Sequence, residues 1–548
     1  MEIFFTILIL SLAVSISGVI RQILPFQIPL PLMQIVLGAL LAWPKFGLHV
    51  DFNPELFLLL FIPPLLFSDG WKTPMREFLR HGGEIIILAL VLVIITVVGI
   101  GYLIYWMIPD ITLVASLALA AVLSPTDAVA LSGIVGEGRM PKKIMDILQG
   151  EALMNDASGL VSLKFAISVA MGTMIFTISG ASIEFIKVSI GGLLSGIFIT
   201  WGYSKSFRLI TRWSSEDPTA TQMMLLLLLP FAVYLIAEHI GVSGILSSVA
   251  SGMTIGQSGI IRNAPLGMRL RGNSIWSMLE FVFNGMVFIM LGLQLPDILC
   301  TSISQAELDP TIKIWMLFVY VFIIYIALIM LRFVWLWLMK YISLHYMSIR
   351  PMVFGEYTMR EILIASFAGV RGAITLAGVL SIPLFLRDGT VFPCRYQLVF
   401  IATGVILLSL LFGVIVLPWL MQGIIISDKL LQRKEELMAR VIAAEVAIDS
   451  LYKLEERLMH DPDENIDSQL ISEVSARVLG SLRRRIDGHN DLKSILVEDL
   501  ERRMRLNVLH AERGEYYHLR AQQKISNETL TKLLRDLDFL EALLVDCD

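Results

Sequence analysis

Cysteine is scarce in this chain of 548 residues, which contains only Cys300, Cys394 and Cys547. Because the three lie far apart and outside any Cys-x-x-Cys pair, the sequence predicts neither a disulfide framework nor a zinc site. Charge is scarce too, at 17% of the residues, whereas soluble globular domains average about 25%. The net charge of −5 and the scattered lysines and arginines argue against a nucleic acid as a partner, and no cofactor is expected.

A basic segment ahead of the first apolar run is also missing, since the chain starts Met1-Glu2-Ile3. A cleavable signal peptide carries such a segment, so the first apolar run is predicted to be a retained membrane span. Apolar side chains, by contrast, make up 56% of the residues and give a mean hydropathy of +0.74. The composition therefore predicts an all-α protein that crosses the lipid bilayer many times.

A membrane-spanning helix needs about 20 apolar residues, and the chain contains thirteen apolar segments of about that length. The predicted spans are 3–20, 26–43, 54–69, 83–108, 112–135, 142–176, 183–204, 220–239, 242–256, 273–295, 312–339, 359–383 and 396–421.

Lysine and arginine give a second, independent indication of topology, because cytoplasmic loops collect them. The odd-numbered loops and their flanks carry sixteen, against at most five in the even-numbered loops. This alternation predicts an N-terminus outside and a C-terminus in the cytoplasm. The sixteen are Arg21, Lys72, Arg76, Arg80, Arg139, Lys142, Lys143, Lys205, Arg208, Arg212, Arg262, Arg269, Arg271, Lys340, Arg350 and Arg360.

The composition changes abruptly near Ser427, where a charge-rich stretch with helical periodicity begins. Breaks are predicted at Asp461-Pro462-Asp463 and near Asp487-Gly488. The chain is therefore predicted to have a transmembrane domain over 1–425 and a helical cytoplasmic domain over 426–548.

Three ionisable residues are predicted to lie at one depth near the middle of the membrane, where charge is expensive and marks ion paths. Asp127 lies 12 residues before Arg139, and Asp156 lies 13 residues after Lys143. Each is thus about 20 Å from the inner boundary at 1.5 Å per residue. Arg371, in the twelfth span, lies at a similar depth.

Two of these spans contain helix-breaking residues. Ser124-Pro125-Thr126-Asp127 places a proline inside the fifth span, and Gly369 and Gly372 flank Arg371 in the twelfth. If the seventh span is a linker, the remaining spans form two six-helix repeats of opposite orientation, each with its fifth helix broken. Inverted repeats with broken helices at the midplane are typical of secondary transporters.

In the sixth span, Glu151 and Asn155 share a helix face, and Asp156 points about 100° away from Asn155. We expect Glu151 to form a buried ion pair with Arg371 and to hold Asn155. Asp156 then faces a water-filled cavity, where its carboxylate holds either a proton or a monovalent cation. An ion pair of Asp156 with Lys164 is the competing interpretation, and Lys164 otherwise counts as an accessory polar neighbour.

Two other charged positions are predicted to lie outside the site, and a third is left open. Arg332 is eight residues from Lys340, so its side chain is expected to extend to the cytoplasmic face. Glu238 falls with His239 at the outer end of the eighth span, where an interfacial position and a modulatory role are equally open. Glu280 shares a face with Asn284, a pattern typical of polar contacts between packed helices.

Four segments together resemble the sodium/proton exchanger family of the monovalent cation:proton antiporters, over roughly residues 1–425, and are similar to its enterobacterial inner-membrane members. They are Glu-Ala-Leu-Met-Asn-Asp at 151–156, Ser-Pro-Thr-Asp at 124–127, Phe-Ala-Gly-Val-Arg-Gly-Ala-Ile-Thr at 367–375, and Tyr-Leu-Ile-Ala-Glu-His-Ile-Gly-Val-Ser-Gly at 234–244.

The resemblance implies a homodimeric antiporter in which Asp156 binds the transported ion. It also implies that Asn155 accompanies electroneutral exchange and that Thr126 and Asp127 belong to a crossing of two unwound helices, with Ser124 close by. Two departures bear on the ligands of the ion. Ala152 stands where many prokaryotic relatives have serine, and the acidic residue of the third span is shifted by one position to Asp69.

The sequence leaves other functions open. Exchange of K⁺, Li⁺ or a small organic cation fits the same motifs as exchange of Na⁺. A cation channel is less favoured because filter loops and charged rings are absent from the sequence. An intramembrane enzyme with an Asp127–Asp156 dyad is disfavoured by the neighbouring Asn155 and Arg371.

Overall fold

The computed structural model of this chain describes residues 2–23, 28–43, 59–108, 111–136, 139–172, 178–213, 219–258, 266–308, 314–346, 357–386, 389–390, 392–422, 426–460, 468–487 and 492–545. The described residues fall into two compact units, Met1–Ile425 and Ile426–Asp548. We describe each unit by itself.

The first unit is helical. Its helices are α1 (Glu2–Ile23), α2 (Leu30–Leu41), α3 (Ile62–Lys72), α4 (Met75–Arg80), α5 (Gly82–Met107, with a π-helical turn at Ile87–Leu92), α6 (Leu113–Leu123), α7 (Ala128–Val135), α8 (Lys142–Ala170), α9 (Ile178–Trp213), α10 (Thr219–Ile240), α11 (Gly244–Gln257), α12 (Leu266–Leu308), α13 (Ile314–Tyr346), α14 (Met359–Phe367), α15 (Ala373–Leu380) and α16 (Arg395–Met421).

Seven of these helices, in the part of the chain that the structure describes, are long and apolar enough to cross a membrane. The pair α6 and α7 qualifies as an eighth span if the two are taken together across their bend. A helix or a broken pair lies in each of the thirteen predicted segments, although residues 54–58 of the third segment lie outside the described residues. The protein is therefore a multi-pass membrane protein, while the number thirteen and the inverted repeats stay predictions.

The helices of the first unit pack mainly in two groups. We call α1–α3 and α9–α12 the first bundle, and α5–α8 and α13–α16 the second bundle. Contacts between the bundles are sparser, and include those of α8 with α11 and of α12 with α16. The boundary between the bundles is thus a natural place for a cavity.

Glycine lets helices within a bundle touch backbone to backbone. A Cβ atom at Gly38 of α2 would lie 2.1 Å from the carbonyl oxygen of Ile289 in α12, and one at Gly252 of α11 would lie 2.1 Å from that of Phe67 in α3. In the second bundle, a Cβ at Gly159 of α8 would lie 3.1 Å from the carbonyl oxygen of Ala121 in α6. Small residues serve this purpose in membranes because lipid gives helices no hydrophobic reason to associate. We call these contacts the glycine seams.

The second unit contains α17 (Ile426–His460), α18 (Ser468–Asp487), α19 (Leu492–Ala521) and α20 (Asn527–Val545). Helix α17 packs against α18, and α19 packs against α20. Ala444, Leu509 and Leu537 are buried in these contacts. The predicted break at Asp461-Pro462-Asp463 lies outside the described residues, directly after the end of α17.

Candidate functional site

The site is organised around two interrupted helices. Helix α6 ends at Leu123 and α7 begins at Ala128, with a bend of 46° between them. Pro125 lies in the gap, where a residue without a backbone N–H cannot continue the helical ladder. Helix α14 ends at Phe367 and α15 begins at Ala373, so the glycine-flanked segment around Arg371 is unwound as well.

The two interruptions touch each other. The backbone N–H of Asp127 donates to the carbonyl oxygen of Val370 at 2.7 Å. A Cβ atom at Gly372 would lie 1.7 Å from Oδ2 of Asp127. Only glycine therefore fits at 372, because any side chain would displace the Asp127 carboxylate.

Each interruption leaves helix ends inside the protein, and two charged side chains compensate them. Asp127 caps α7, accepting hydrogen bonds from the backbone N–H groups of Val129 and Ala130 at 2.9 and 2.8 Å. Arg371 donates from Nε to the carbonyl oxygen of Leu123 at 3.1 Å, at the end of α6, and from Nη1 to that of Gly369, just beyond α14. A carboxylate at helix N-termini and a guanidinium at helix C-termini both oppose the helix dipoles.

The predicted ion pair between Glu151 and Arg371 is wrong, because Glu151 pairs with Arg332. Nη1 and Nη2 of Arg332 lie 2.5 and 2.6 Å from the two carboxylate oxygens of Glu151. Nε of Arg332 donates to the carbonyl oxygen of Ala365 at 2.9 Å. The side chains are 1% and 4% exposed, so this two-point pair is fully buried.

The prediction that Arg332 extends to the cytoplasmic face is therefore also wrong. Lys340 is eight residues further along the continuous helix α13, about 12 Å away, and the guanidinium of Arg332 faces inward to Glu151 instead. Arg371 is held by carbonyl groups of the unwound segments. A signal was present in the sequence, because Glu151 lies eight residues from Lys143 and Arg332 lies eight from Lys340, whereas Arg371 lies eleven from Arg360.

A cavity of about 400 Å³ lies between the two bundles. Along α8 it is lined by Met145, Gln149 and, at the deep end, Asp156, so it follows that helix for about 16 Å. Four carboxylate side chains line it, from α3, the start of α7, α8 and α12. They are Asp69, Asp127, Asp156 and Glu280.

Asp156 is the most buried of these four carboxylates. Its side chain is only 8% exposed, and among the described residues no group donates a hydrogen bond to its carboxylate. A buried carboxylate without a hydrogen-bond partner or counter-ion needs a proton or a cation to be stable. The cavity gives small ions a path to it.

Asn155 is anchored beside this carboxylate rather than in the cavity. Its Nδ2 donates to Oγ1 of Thr126 at 2.9 Å, and its side chain is 1% exposed. Thr126 in turn lines the cavity. The partner of Asn155 is therefore Thr126, and the expected contact with Glu151 is replaced by the pair of Glu151 with Arg332.

The other predicted residues lie in three different places. Asp69 lines the cavity in spite of its shifted position. Ser124 donates to the carbonyl oxygen of Ala121 at 2.9 Å. It lines a second, smaller pocket together with Arg332 and Arg371 rather than the cavity. Lys164 contacts both carboxylate oxygens of Glu238 at 3.0 Å, which excludes the competing pair with Asp156.

Sequence reasoning missed two residues of the cavity. Lys72 was counted among the loop residues and Glu280 among the packing contacts, yet both line the cavity and their side chains form an ion pair. Helical periodicity did place Glu280 and Asn284 on one face. It could not indicate that this face borders the cavity.

Comparison with known proteins places these features in a family. The family model described as "Sodium/hydrogen exchanger, transmembrane" matches residues 7–423. An uncharacterized Na⁺/H⁺ exchanger of Escherichia coli K12, YjcE, is 68% identical over 100% of both chains. A sodium, potassium, lithium and rubidium/H⁺ antiporter of Bacillus pumilus is 37% identical over 99% of this chain and 78% of its own length.

A solved structure shares the fold. The sodium proton antiporter MjNhaP1 of Methanocaldococcus jannaschii matches with a TM-score of 0.55 over 78% of this chain and 100% of its own. Its sequence identity to this chain is 18%, so the likeness concerns the fold alone.

Proposed function

Since this chain belongs to the sodium/hydrogen exchanger family, we propose that it exchanges a monovalent cation, Na⁺ by preference, for H⁺ across a bacterial inner membrane. The observation that carries the proposal is the Asp156 carboxylate, buried and without a hydrogen-bond donor among the described residues, at the deep end of a cavity. The curated relatives with which the chain shares this family are named as transporters rather than enzymes.

The mechanism is competition for one carboxylate. Asp156 binds either a proton or a cation, and its release of one is the condition for binding the other. Thr126 supplies a hydroxyl oxygen beside it, oriented by its hydrogen bond from Asn155. Asp127 and Arg371 hold the crossing of the broken helices, and the pair of Glu151 with Arg332 fixes α8 against α13. None of these supporting charges needs to titrate.

Alternating access follows from the position of the cavity between the bundles. The cavity is lined by Asp69 and Glu280 of the first bundle and by Asp127 and Asp156 of the second. Glycine seams join helices inside each bundle. We infer that one bundle moves against the other and carries Asp156 from one side of the membrane to the other.

The arrangement in the membrane is part of the same proposal. Thirteen spans in inverted repeats put the N-terminus outside and the C-terminus in the cytoplasm, with residues 426–548 as a cytoplasmic domain. The excess of lysine and arginine in alternate loops supports this orientation. A homodimer is the proposed assembly.

The second candidate is an antiporter that also accepts K⁺ or Li⁺. The Bacillus relatives, at 37% and 41% identity, are named as sodium, potassium, lithium and rubidium/H⁺ antiporters. Ala152 lines the cavity without a side-chain oxygen, which leaves the ligand shell of the cation less specific. Exchange in proteoliposomes against a panel of Na⁺, K⁺, Li⁺ and Rb⁺ tests the proposal, and the order of the half-saturating concentrations decides between the candidates.

Exchange is expected to be one for one and independent of membrane potential. Asp156 binds either one proton or one monovalent cation, so the loaded site has the same net charge in both cases, and Asn155 cannot titrate. The measurement is proton uptake by cation-loaded proteoliposomes clamped at zero and at about −100 mV, a potential worth roughly 2.3 kcal/mol per net charge moved. A shift of the equilibrium cation gradient by about that amount would show that a second group carries protons. Asn155→Asp, which adds a titratable carboxylate beside Asp156, is the matched variant and is expected to make exchange sensitive to potential.

Removal of the second unit is expected to leave exchange intact. A chain that ends at Ile425 keeps every residue of the cavity, because all of them lie in the first unit. Proteoliposome assays of the truncated and full-length proteins, matched for inserted amount, measure the effect. Loss of all transport in a truncated protein with an unchanged melting temperature would make the second unit part of the transport machinery.

A further inference from the structure

Among the residues that the structure describes, the cavity is lined by one cationic side chain as well as four carboxylates. Lys72, the last residue of α3, lines it and forms an ion pair with Glu280 of α12. Asp69 lies one turn earlier on α3, within electrostatic range of Lys72, Glu280 and Asp127. The exchange mechanism proposed above assigns no task to this ammonium group.

The ammonium group lies toward the open end of the cavity. The Lys72 side chain is 55% exposed and that of Glu280 is 19% exposed, whereas Asp156 is buried at the deep end. Helix α4, which begins three residues after Lys72, lies beside α8 at a point six residues before Asp156. There, Cδ2 of Phe78 would lie 3.3 Å from a Cβ atom at Gly150. A cation that travels from this end to Asp156 therefore passes the ion pair.

We propose that Lys72 is an affinity-setting residue of the exchanger, a tethered cation that competes with the transported cation for the carboxylates at the cavity mouth. The inference rests on the proposed function and adds a regulatory element to it. Before a cation enters, the Lys72 ammonium group pairs with the Glu280 carboxylate and offsets the negative charge of Asp69. An entering monovalent cation takes over those oxygens as it passes and then reaches Asp156.

Electrostatics gives this inference a distinctive consequence, because the two partners of the pair carry opposite charges. Asp69 of α3 lies within electrostatic range of both partners of the pair, and Asp127, at the start of α7, and Asp156 of α8 line the same cavity. Removing the positive charge of Lys72 makes the cavity more negative and attracts cations and protons alike. Removing the negative charge of Glu280 leaves an unpaired ammonium group that repels them. A merely structural ion pair would instead respond to both substitutions in the same direction.

The test compares Lys72→Met, Glu280→Gln and the double variant by the half-saturating Na⁺ concentration of exchange in proteoliposomes and by Na⁺ binding to the purified protein. At low ionic strength we expect the concentration to fall about tenfold for Lys72→Met and to rise about tenfold for Glu280→Gln, the size of one unit charge acting over about 10 Å. The double variant is expected to return to within about threefold of the wild type on the same grounds. Proton inhibition should move to higher pH in Lys72→Met and to lower pH in Glu280→Gln.

Two further measurements complete the test. Lys72→Arg keeps the charge and is expected to retain the wild-type affinity, and N-methyl-glucamine salt is expected to shrink the effects of both single variants, because charges about 10 Å apart are screened at 0.1 M. Lys187→Met and Glu184→Gln change an exposed ion pair of α9 that lies outside the cavity lining, and serve as matched controls.

The outcomes separate the inference from the proposed function. Shifts of the same sign in the two single variants, or shifts within twofold of the wild type, overturn the role of Lys72 while exchange itself stands. A wild-type protein that binds and exchanges none of the four alkali cations overturns the proposed function instead. Opposite shifts that cancel in the double variant support the inference.

Discussion

Asp156→Asn yields, by our expectation, a folded and inserted protein that neither binds a cation nor moves protons. The amide fills almost the same volume as the carboxylate, and no hydrogen bond to Asp156 from the described residues is lost. What disappears is the charge that makes the position attractive to Na⁺ and to H⁺. Exchange activity should therefore fall to the level of empty liposomes, while the melting temperature stays the same or rises, because a buried, unpaired carboxylate is costly.

Two assays measure this result, Na⁺-driven proton movement in proteoliposomes and Na⁺ binding to the purified variant. Asp449→Asn makes the same chemical change at an exposed position of α17, where the side chain is 66% exposed, and is expected to retain full exchange. Substantial antiport by verified Asp156→Asn protein would remove Asp156 from the centre of the mechanism.

Loss of either partner of the buried pair between Glu151 and Arg332 is expected to lower the free energy of unfolding by about 3–5 kcal/mol, because the remaining charge has no partner in a site that excludes water. Glu151→Gln and Arg332→Met are the substitutions, chosen because each removes the charge with little change of volume. Their combination should cost much less than the sum of the two single effects. Melting temperatures and yields of the purified single and double variants measure this coupling.

The same double-mutant cycle distinguishes Arg332 from Arg371. Arg371 bonds to the carbonyl groups of Leu123 and Gly369 rather than to Glu151, so Arg371→Met and Glu151→Gln should combine more nearly additively. The exposed pair of Lys164 with Glu238 provides the control, with single effects of about 0–1 kcal/mol. Additive effects for Glu151 and Arg332 would mean that the pair contributes no coupling.

The sequence predicted which residues lie at the site better than it predicted which of them contact each other. Counting residues from the basic loops brought Asp127, Asp156 and Arg371 to one depth, and the structure puts two of them on the cavity and the third at the crossing beside it. The helix breaks were also predicted, because proline and glycine act on the local backbone. Such features depend on one segment at a time.

Contacts between segments could not be predicted in the same way. Arg332 and Arg371 both come near Glu151 in depth, and the choice between them depends on how α13 is rotated and on which carbonyl groups the unwound segment exposes. Lys72 illustrates a second limit of sequence-based prediction. A lysine at the end of a span is assigned to a loop, because the sequence does not show which residues of other helices lie beside it. Counting residues gives only the depth of a side chain in the membrane, whereas an ion pair depends on the positions of both side chains in three dimensions.

The glycine seams have a consequence for spectroscopic work on this protein. Helices whose backbones touch have no side chain between them to compress, so the helices that a seam joins are expected to move together. Helix α13 is joined to α8 by the pair of Arg332 with Glu151, so a reporter group at Val334 of α13, which is 52% exposed, is expected to register the same rigid-body step as Asp156 although it touches no part of the ion path. Cys300 is exposed, so it is replaced before a single new thiol is introduced as that reporter.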